Sequence, residues 1–250
     1  MKPSAPTSTA SLLVVLSALA AVQGVEVGCK QYDSWSGNGY HLINNLWGMA
    51  QASSGSQCLV LHSGGGGGGG VAWDTTWAWR GGDSDVKSYD YSGIDVSPKP
   101  VSQIRSLPTS ASWSYNSTAG LNADVSYDLF TAADRNHATS SGDYELMIWL
   151  AKFGSISPIG GSPIVHKVNI AGHNWDLYSG GGSQHTYSFV ACDGPLTSFS
   201  GDVMDFFTWL QHNQGYPASS QYLTTYQFGT EAFTGGPALF SVGHWSASVN

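Results

Sequence analysis

Charge is scarce in this chain. Only 10% of the 250 residues are Asp, Glu, Lys or Arg, and the 9 Lys+Arg form no basic run against 17 Asp+Glu. Nucleic acid recognition neutralises phosphates with clustered cations, so a nucleic acid partner is not expected, and the formal net charge of -8 points the same way. Metal-ligand spacings are missing as well: neither Cys-x-x-Cys nor His-Glu-x-x-His occurs, and no metal site is expected. Long apolar runs are limited to one, near the start. Lys2 precedes the apolar stretch 12–22, which closes on small residues near Gly24. A charged start, an apolar middle and a small-residue end are the parts of a secretory signal, expected over residues 1–24. Its apolar core is too short to cross a bilayer and no other stretch comes close, so no membrane contact is expected. The mature chain, 25–250, is expected to be secreted and monomeric. It has no Ser/Thr/Pro-rich linker and no composition shift, and it reads as one domain.

Cysteine is sparse too. Cys29, Cys58 and Cys192 make an odd count, which in an exported chain means one bridge and a leftover thiol, or a bridge between molecules. Cys29 is expected to pair with Cys58, since both lie near the start of the mature chain on either side of the 42–47 segment. Cys192 follows Phe189-Val190-Ala191 in a strand-like run and reads as a buried, inert thiol. The sequon Asn116-Ser117-Thr118 lies in a turn-like stretch and makes Asn116 a candidate glycan acceptor.

Aromatic residues are plentiful, at 12% of the chain and including ten Trp. Ring faces fill sandwich cores, and exposed ones stack on uncharged sugars without ion pairing. Short alternating segments follow one another with turn signals between them. Val71, Trp73, Thr75, Trp77 and Trp79 share one face of a strand; Leu121, Ala123, Val125, Tyr127 and Leu129 share another, opposite Asn122, Asp124, Ser126, Asp128 and Phe130. Further strands are expected over 56–62, 165–170, 174–178, 187–192, 221–228 and 238–249, with a hairpin turn at 170–174. One helix is expected after Ser200 as cap, with Asp202 in its first turn and Val203, Phe206, Phe207 and Leu210 at helical spacing before Gly215. The fold class is therefore all-β, a jelly-roll sandwich with one helix packed on the outer face. The glycine run 64–70 lacks the Lys-Ser or Lys-Thr and the following helix of a phosphate loop, and reads as a hairpin connection.

Two carboxylates stand out. In Asp143-Tyr144-Glu145-Leu146-Met147-Ile148-Trp149-Leu150, an apolar run without Gly or Pro, Glu145 shares a face with Met147 and Trp149. A carboxylate in such a row is paired, protonated or open to a cleft. An alternative is a strand-end carboxylate held by an Arg or by backbone donors. Glu231, in Phe228-Gly229-Thr230-Glu231-Ala232-Phe233-Thr234-Gly235, also lies among rings, between glycines that mark a bent or closely approached strand. Two Glu on strands among aromatic residues are what glycoside hydrolysis requires, one to attack or orient and one to deliver a proton.

The chain resembles the glycoside hydrolase family 12 endoglucanases. The resemblance rests on Asn44-Asn45-Leu46-Trp47-Gly48, Val86-Lys87-Ser88-Tyr89, Tyr127-Asp128-Leu129-Phe130-Thr131, residues 143–150 and residues 228–235, in order across the mature chain from about Cys29 to Asn250. It implies two curved antiparallel sheets with the substrate groove on the concave face, and a retaining double displacement without cofactor. It also implies Glu145 as nucleophile, Glu231 as acid/base, Asp128 as an auxiliary carboxylate beside the nucleophile, and Tyr32, Asn45, Trp47, Met147 and Trp149 as substrate-binding residues. Tyr32 stands where some relatives have Trp, and Ala232 replaces a Pro common after the acid/base. A retaining mechanism needs the two carboxyls roughly 5–5.5 Å apart. The implied substrate is a β-1,4-glucan, cellulose or mixed-linkage β-glucan, with xyloglucan as the alternative. A non-catalytic glycan-binding jelly roll is a further alternative, and it would not need the two Glu.

Overall fold

The computed structural model describes residues 24–250. The expected secretory signal therefore lies, apart from Gly24, outside the described residues.

Among these residues, fifteen strands and one α-helix form in chain order: β1 (Val25–Gly28), β2 (Ser34–Gly37), β3 (Tyr40–Ile43), β4 (Ser54–Gly64), β5 (Val71–Arg80), β6 (Ser88–Ile94), β7 (Lys99–Pro100), β8 (Pro108–Tyr115), β9 (Asn122–Ala132), β10 (Tyr144–Phe153), β11 (Val165–Ile170), β12 (His173–Gly180), β13 (His185–Ala191), β14 (Ser198–Asp202), α1 (Met204–Gln214) and β15 (Tyr222–Ala247). They build a jelly roll of two layers. The larger sheet runs β2-β3-β6-β15-β9-β10-β13-β12-β11, and the smaller runs β1-β4-β5-β15-β8-β14. Most neighbours are antiparallel, but β10 and β13 pair in parallel, with Glu145 opposite Thr186. The purely antiparallel expectation is corrected there, and this pairing brings a distant hairpin against the β10 carboxylate.

β15 belongs to both sheets. Its first half pairs with β9 and β6, its second with β5 and β8. The corner falls at Gly235-Gly236-Pro237, with Gly235 and Gly236 at φ 124° and 80°. A Cβ at Gly236 would stand 2.4 Å from the Trp77 carbonyl oxygen, so only glycine fits at this approach. The two expected strands 221–228 and 238–249 are thus one strand that changes sheet.

The space between the sheets is filled by the faces that the two-residue period predicts. Trp73 on β5, Tyr127 on β9, Phe228 and Trp245 on β15 are fully buried, and the Tyr127 and Phe228 rings lie 4.8 Å apart. Where the smaller sheet ends, α1 covers the larger one on the face away from the cleft. Phe206 meets Trp175 of β12 and Phe189 of β13 edge-on at 5.3 and 5.1 Å. The start of α1 departs from expectation. Ser200 and Asp202 both lie in β14 and not at the cap or in the first turn, and Val203 holds the cap position without a side-chain bond; Asp202 Oδ1, just before it, accepts from the Met204 and Leu107 amides at 2.9 and 2.6 Å and ties the helix start to the chain before β8.

The Cys29–Cys58 disulfide is present. Cys192 is half-buried; its thiol donates to Asp176 Oδ1 at 3.3 Å, and burial with the adjacent carboxylate pushes it up to about 11, which fits an inert thiol. The 64–70 glycine run connects β4 to β5, and Asn116 is exposed just after β8. Among the described residues no helix is long and apolar enough to cross a membrane.

Candidate active site

Alternation along the strands of the larger sheet places one set of side chains in a cleft of about 460 Å³. Glu145 of β10, Asp128 and Phe130 of β9, Glu231 of β15, and Tyr89 and Tyr91 of β6 line it. Asn45, Trp47 and Tyr32 line it as well. The structure thus brings together the three sequence-selected carboxylates and three of the five implied sugar contacts. Trp47 and Tyr32 are 53% and 56% exposed, large ring faces turned to solvent. The other two contacts differ. Met147 and Trp149 share the Glu145 face, yet they are 5% and 2% exposed and pack with Ile156, Val190 and Phe233. Apolar neighbours cover both rather than leave them wet, so they form a closed floor and not open stacking platforms.

β9 runs between β10 and β15, and its carboxylates stand between the two Glu. Met147 of β10 and Gln227 of β15 are both register partners of Asp128. Asp124, earlier on β9, is fully buried beside Glu231: its Oδ1 accepts from the Glu231 amide at 3.2 Å and from the Ser126 hydroxyl at 3.0 Å.

The two Glu sit in different hydrogen-bonding environments. Glu145 Oε2 accepts from the Thr186 hydroxyl at 2.6 Å and from the Gln184 amide at 3.1 Å. Burial raises its pKa, while the bonds from Thr186, Gln184 and Asp128 pull the other way by favouring the anion. Among the described residues Glu231 has no such donors to its carboxyl. Burial lifts its pKa well above the ordinary carboxylate range, and the charges of Asp124, Glu145 and Asp128 lift it further. Asp128 is likewise raised well above the ordinary range, by burial first and then by Glu145 and Asp124, so it faces Glu145 as a protonated donor. The alternative of a Glu145 held by an Arg or by backbone donors is not what the structure holds, because its partners are side-chain hydroxyl, amide and carboxyl groups.

The segment that leads into β10 is pinned over the cleft. Ser140, at φ 57°, donates its amide to Thr225 Oγ1 at 2.8 Å and accepts from Gln227 Nε2 at 2.8 Å. The Gly142 amide donates to Gln184 Oε1 at 3.2 Å, so Gln184 links this segment to the nucleophile candidate. Asp143 accepts from the Ala133 amide and Gln221, and these bonds lower its pKa. Sequence reasoning did not select Asp124, Gln184, Thr186, Ser140 or Gln227. Only Asp124 carried a signal, since strict alternation puts it on the Asp128 face. Among the described residues no group of three or more His, Cys, Asp and Glu is arranged to hold a metal ion.

Residues 38–250 match the profile of "Glycosyl hydrolase family 12". The chain is 50% identical over 244 residues to "Endoglucanase A" of Aspergillus kawachii, which covers 96% of this chain and 99% of that protein. It is 44% identical to a "Probable xyloglucan-specific endo-beta-1,4-glucanase A" of Aspergillus terreus, over 88% of this chain and 86% of that one. An "Inactive glycoside hydrolase XLP1" of Phytophthora nicotianae is 40% identical over 96% of this chain and 98% of its own length. The catalytic domain of Humicola grisea Cel12A, solved with a soaked thio cellotetraose, superposes with a TM-score of 0.86 at 47% identity, over 90% of this chain and 99% of that domain.

Proposed function

Because the chain belongs to glycosyl hydrolase family 12, we propose that it is a secreted, monomeric endo-β-1,4-glucanase whose single catalytic domain, residues 25–250, cleaves internal bonds of cellulose and mixed-linkage β-glucan by a retaining double displacement. The observation that carries this reading is the pair Glu145 and Glu231 in one cleft, Glu231 pushed well above the ordinary carboxylate range while side-chain donors on Glu145 hold back the rise that burial causes there. Membership of the family does not by itself carry turnover, since one relative at 40% identity is named inactive. What supports turnover here is the presence of both carboxyls in one cleft.

In this reading the Glu145 carboxylate attacks the anomeric carbon while Glu231 passes its proton to the glycosidic oxygen. Burial raises the Glu145 pKa, and Thr186, Gln184 and the protonated Asp128 offset part of that rise and aim its carboxylate. Glu231, now ionised, then takes a proton from the water that opens the glycosyl-enzyme. Trp47 and Tyr32 offer ring faces to glucosyl units and Asn45 a hydrogen-bonding amide. The expected signal and the disulfide support export, and the cleft is lined without a cationic patch, which suits a neutral polymer.

Xyloglucan is the second reading, supported by the xyloglucan-specific relative at 44% identity. The test is reducing-sugar release from carboxymethylcellulose, barley β-glucan and tamarind xyloglucan in parallel, with Glu145→Gln and Glu231→Gln as controls. Preference for the unbranched glucans is expected, with losses of about 10²-fold or more in each variant and unchanged melting. Preference for xyloglucan moves the assignment to the second reading. No release from any polymer returns it to a glycan-binding jelly roll.

A further inference from the structure

Glu231 does not stand alone in its wall of the cleft. Asp124, on the adjacent strand β9, is 0% exposed, and among the described residues it has no ion-pair partner. Three features show how its carboxyl is oriented. Oδ1 is saturated by the Ser126 hydroxyl at 3.0 Å and the Glu231 amide at 3.2 Å. The backbone is fixed through its carbonyl, which accepts from the Thr230 hydroxyl, itself 2.8 Å from Tyr115 Oη. Oδ2 is buried and has no N–H or hydroxyl donor at all. A buried carboxylate oxygen left without a donor is costly, so one must be supplied. The Asp124 and Glu231 carboxyls stand within hydrogen-bond reach of one another, and Glu231 has a hydrogen to give only when protonated.

We propose that Asp124 is the positioning residue of the acid step: its carboxylate accepts the hydrogen of the Glu231 carboxyl, and the two groups hold one proton between them in the resting enzyme. This rests on Glu231 being the acid/base. The groups that face the pair are Glu145 from β10, Asp128 from β9, Tyr89 from β6 and Tyr115 from β8. All are acids, so none neutralises the pair. The proton itself is what makes two adjacent carboxyls tolerable.

The pair works in both halves of the reaction. In the first, the bond from Glu145 to the anomeric carbon forms as the bond to the leaving oxygen breaks; that oxygen keeps the electron pair and receives the Glu231 proton. Asp124 and Glu231 are then both ionised and adjacent. Their repulsion makes Glu231 a stronger base, so it draws a proton from the attacking water; the hydroxide oxygen bonds the anomeric carbon, Glu145 leaves, and the shared proton is restored. The arrangement mirrors that at Glu145. There the neighbouring Asp128 is the protonated partner and the nucleophile is the acceptor, so two protons on four carboxyls give each Glu the form its step needs.

The test compares wild type and Asp124→Asn on barley β-glucan and on 2,4-dinitrophenyl β-cellobioside, whose leaving group departs without a proton. The substitution puts an amide donor where the acceptor oxygen stood, so on glucan the alkaline limb of kcat/KM is expected to move to lower pH with KM unchanged. On the dinitrophenyl substrate kcat/KM is expected to stay near wild type. An unmoved alkaline limb, or equal losses on both substrates, overturns the proposal. In wild type, carboxyl 13C titration of Asp124 and Glu231 is expected to give two steps shared by both carbons, and independent titrations overturn it even where the variant does not fold. A wild-type protein that hydrolyses neither substrate overturns the assignment of Glu231 as acid/base, a distinct outcome.

Discussion

The Gln184 side chain donates to Glu145 Oε2 at 3.1 Å while its own carbonyl oxygen accepts from the Gly142 amide at 3.2 Å. One side chain at a hairpin tip thus holds both the nucleophile candidate and the segment that leads into its strand. Thr186 adds a second donor to the same oxygen, at 2.6 Å, from the residue opposite Glu145 in the parallel pair. Both bonds favour the Glu145 anion, so losing either raises its pKa. Turnover needs that anion. The acidic limb of kcat/KM is therefore expected to move to higher pH in Gln184→Ala and Thr186→Val, with the alkaline limb in place. Profiles on barley β-glucan check this; unmoved acidic limbs in both variants would show that these bonds do not set the ionisation of Glu145.

Trp47 and Tyr32 are the large exposed rings that line the cleft, while Trp149 is buried. A ring laid on a glucosyl face removes apolar area from water at about 25 cal/mol per Å². Trp47→Ala is expected to raise KM for soluble glucan by about tenfold with kcat nearly unchanged, and Tyr32→Ala by less. Trp149→Ala is expected to act instead as a core deletion of about 3–5 kcal/mol, lowering the melting temperature first. Kinetics and melts on the three variants separate the roles; a Trp149→Ala protein with normal melting and raised KM would return that residue to the stacking surface.

Much of this was legible in the chain, for reasons that differ by residue. The two-residue period put Trp73 and Tyr127 on apolar faces that prove to be core, and set Asp128 on the face opposite Tyr127, while the resemblance to the family supplied its place in the cleft beside Glu145. The same period placed Asp124 beside Asp128, but a second buried acid on one strand has no motif of its own. Gln184 was illegible. It lies in a glycine-rich hairpin 39 residues from Glu145, and its contact depends on β13 pairing in parallel with β10. The burial of Trp149 was also hidden, since the cover comes from Ile156 and Phe233, which are distant in the chain or in a loop. The glycines flanking Glu231 read as marking a bent strand, but that the bend at Gly235-Gly236-Pro237 carries one strand from sheet to sheet depends on neighbours on both sheets.

Asp90 points away from the cleft into the space between the sheets. It is 1% exposed and accepts from Gln57, Thr75 and the Asn45 amide, and burial outweighs these bonds to push it up to about 7. The ordinary value is 3.8, so between the two the folded state keeps a proton that the unfolded state has lost. The stabilisation is full below the lower value and is lost as pH rises through the upper one. Asp128, and Glu231 with the proton it shares with Asp124, act in the same sense, whereas the lowered Asp143 and Asp176 oppose it. The melting temperature is expected to fall from pH 5 to pH 8, with a contribution from Asp90 on the order of a few kcal/mol. Asp90→Asn is expected to melt lower at pH 5 and to show a shallower fall. Melts at intervals across that range decide; a curve that rises with pH would contradict the shifts.

The Cys29–Cys58 bridge joins residues 29 apart and anchors the segment that carries Tyr32. That segment is also stitched to the 44–46 run: the Tyr32 amide donates to the Asn44 carbonyl at 2.8 Å, the Asn44 amide to the Asp33 carbonyl at 2.8 Å, and Gln31 Nε2 to the Leu46 carbonyl at 3.1 Å. Opening a loop of this size restores chain entropy to the unfolded state, at a cost to folding of about 3–4 kcal/mol. A Cys29→Ser/Cys58→Ser protein is therefore expected to melt well below wild type. Its kinetic signature follows from what the bridge holds. Tyr32 and, through Asn44 and Leu46, the Asn45–Trp47 rim lose their anchor, while Glu145 and Glu231 sit on interior strands that the bridge does not touch. KM for glucan is expected to rise with kcat preserved at temperatures well below the melt. A fall in kcat with KM unchanged would mean that the bridge supports the carboxyl pair and not the rim.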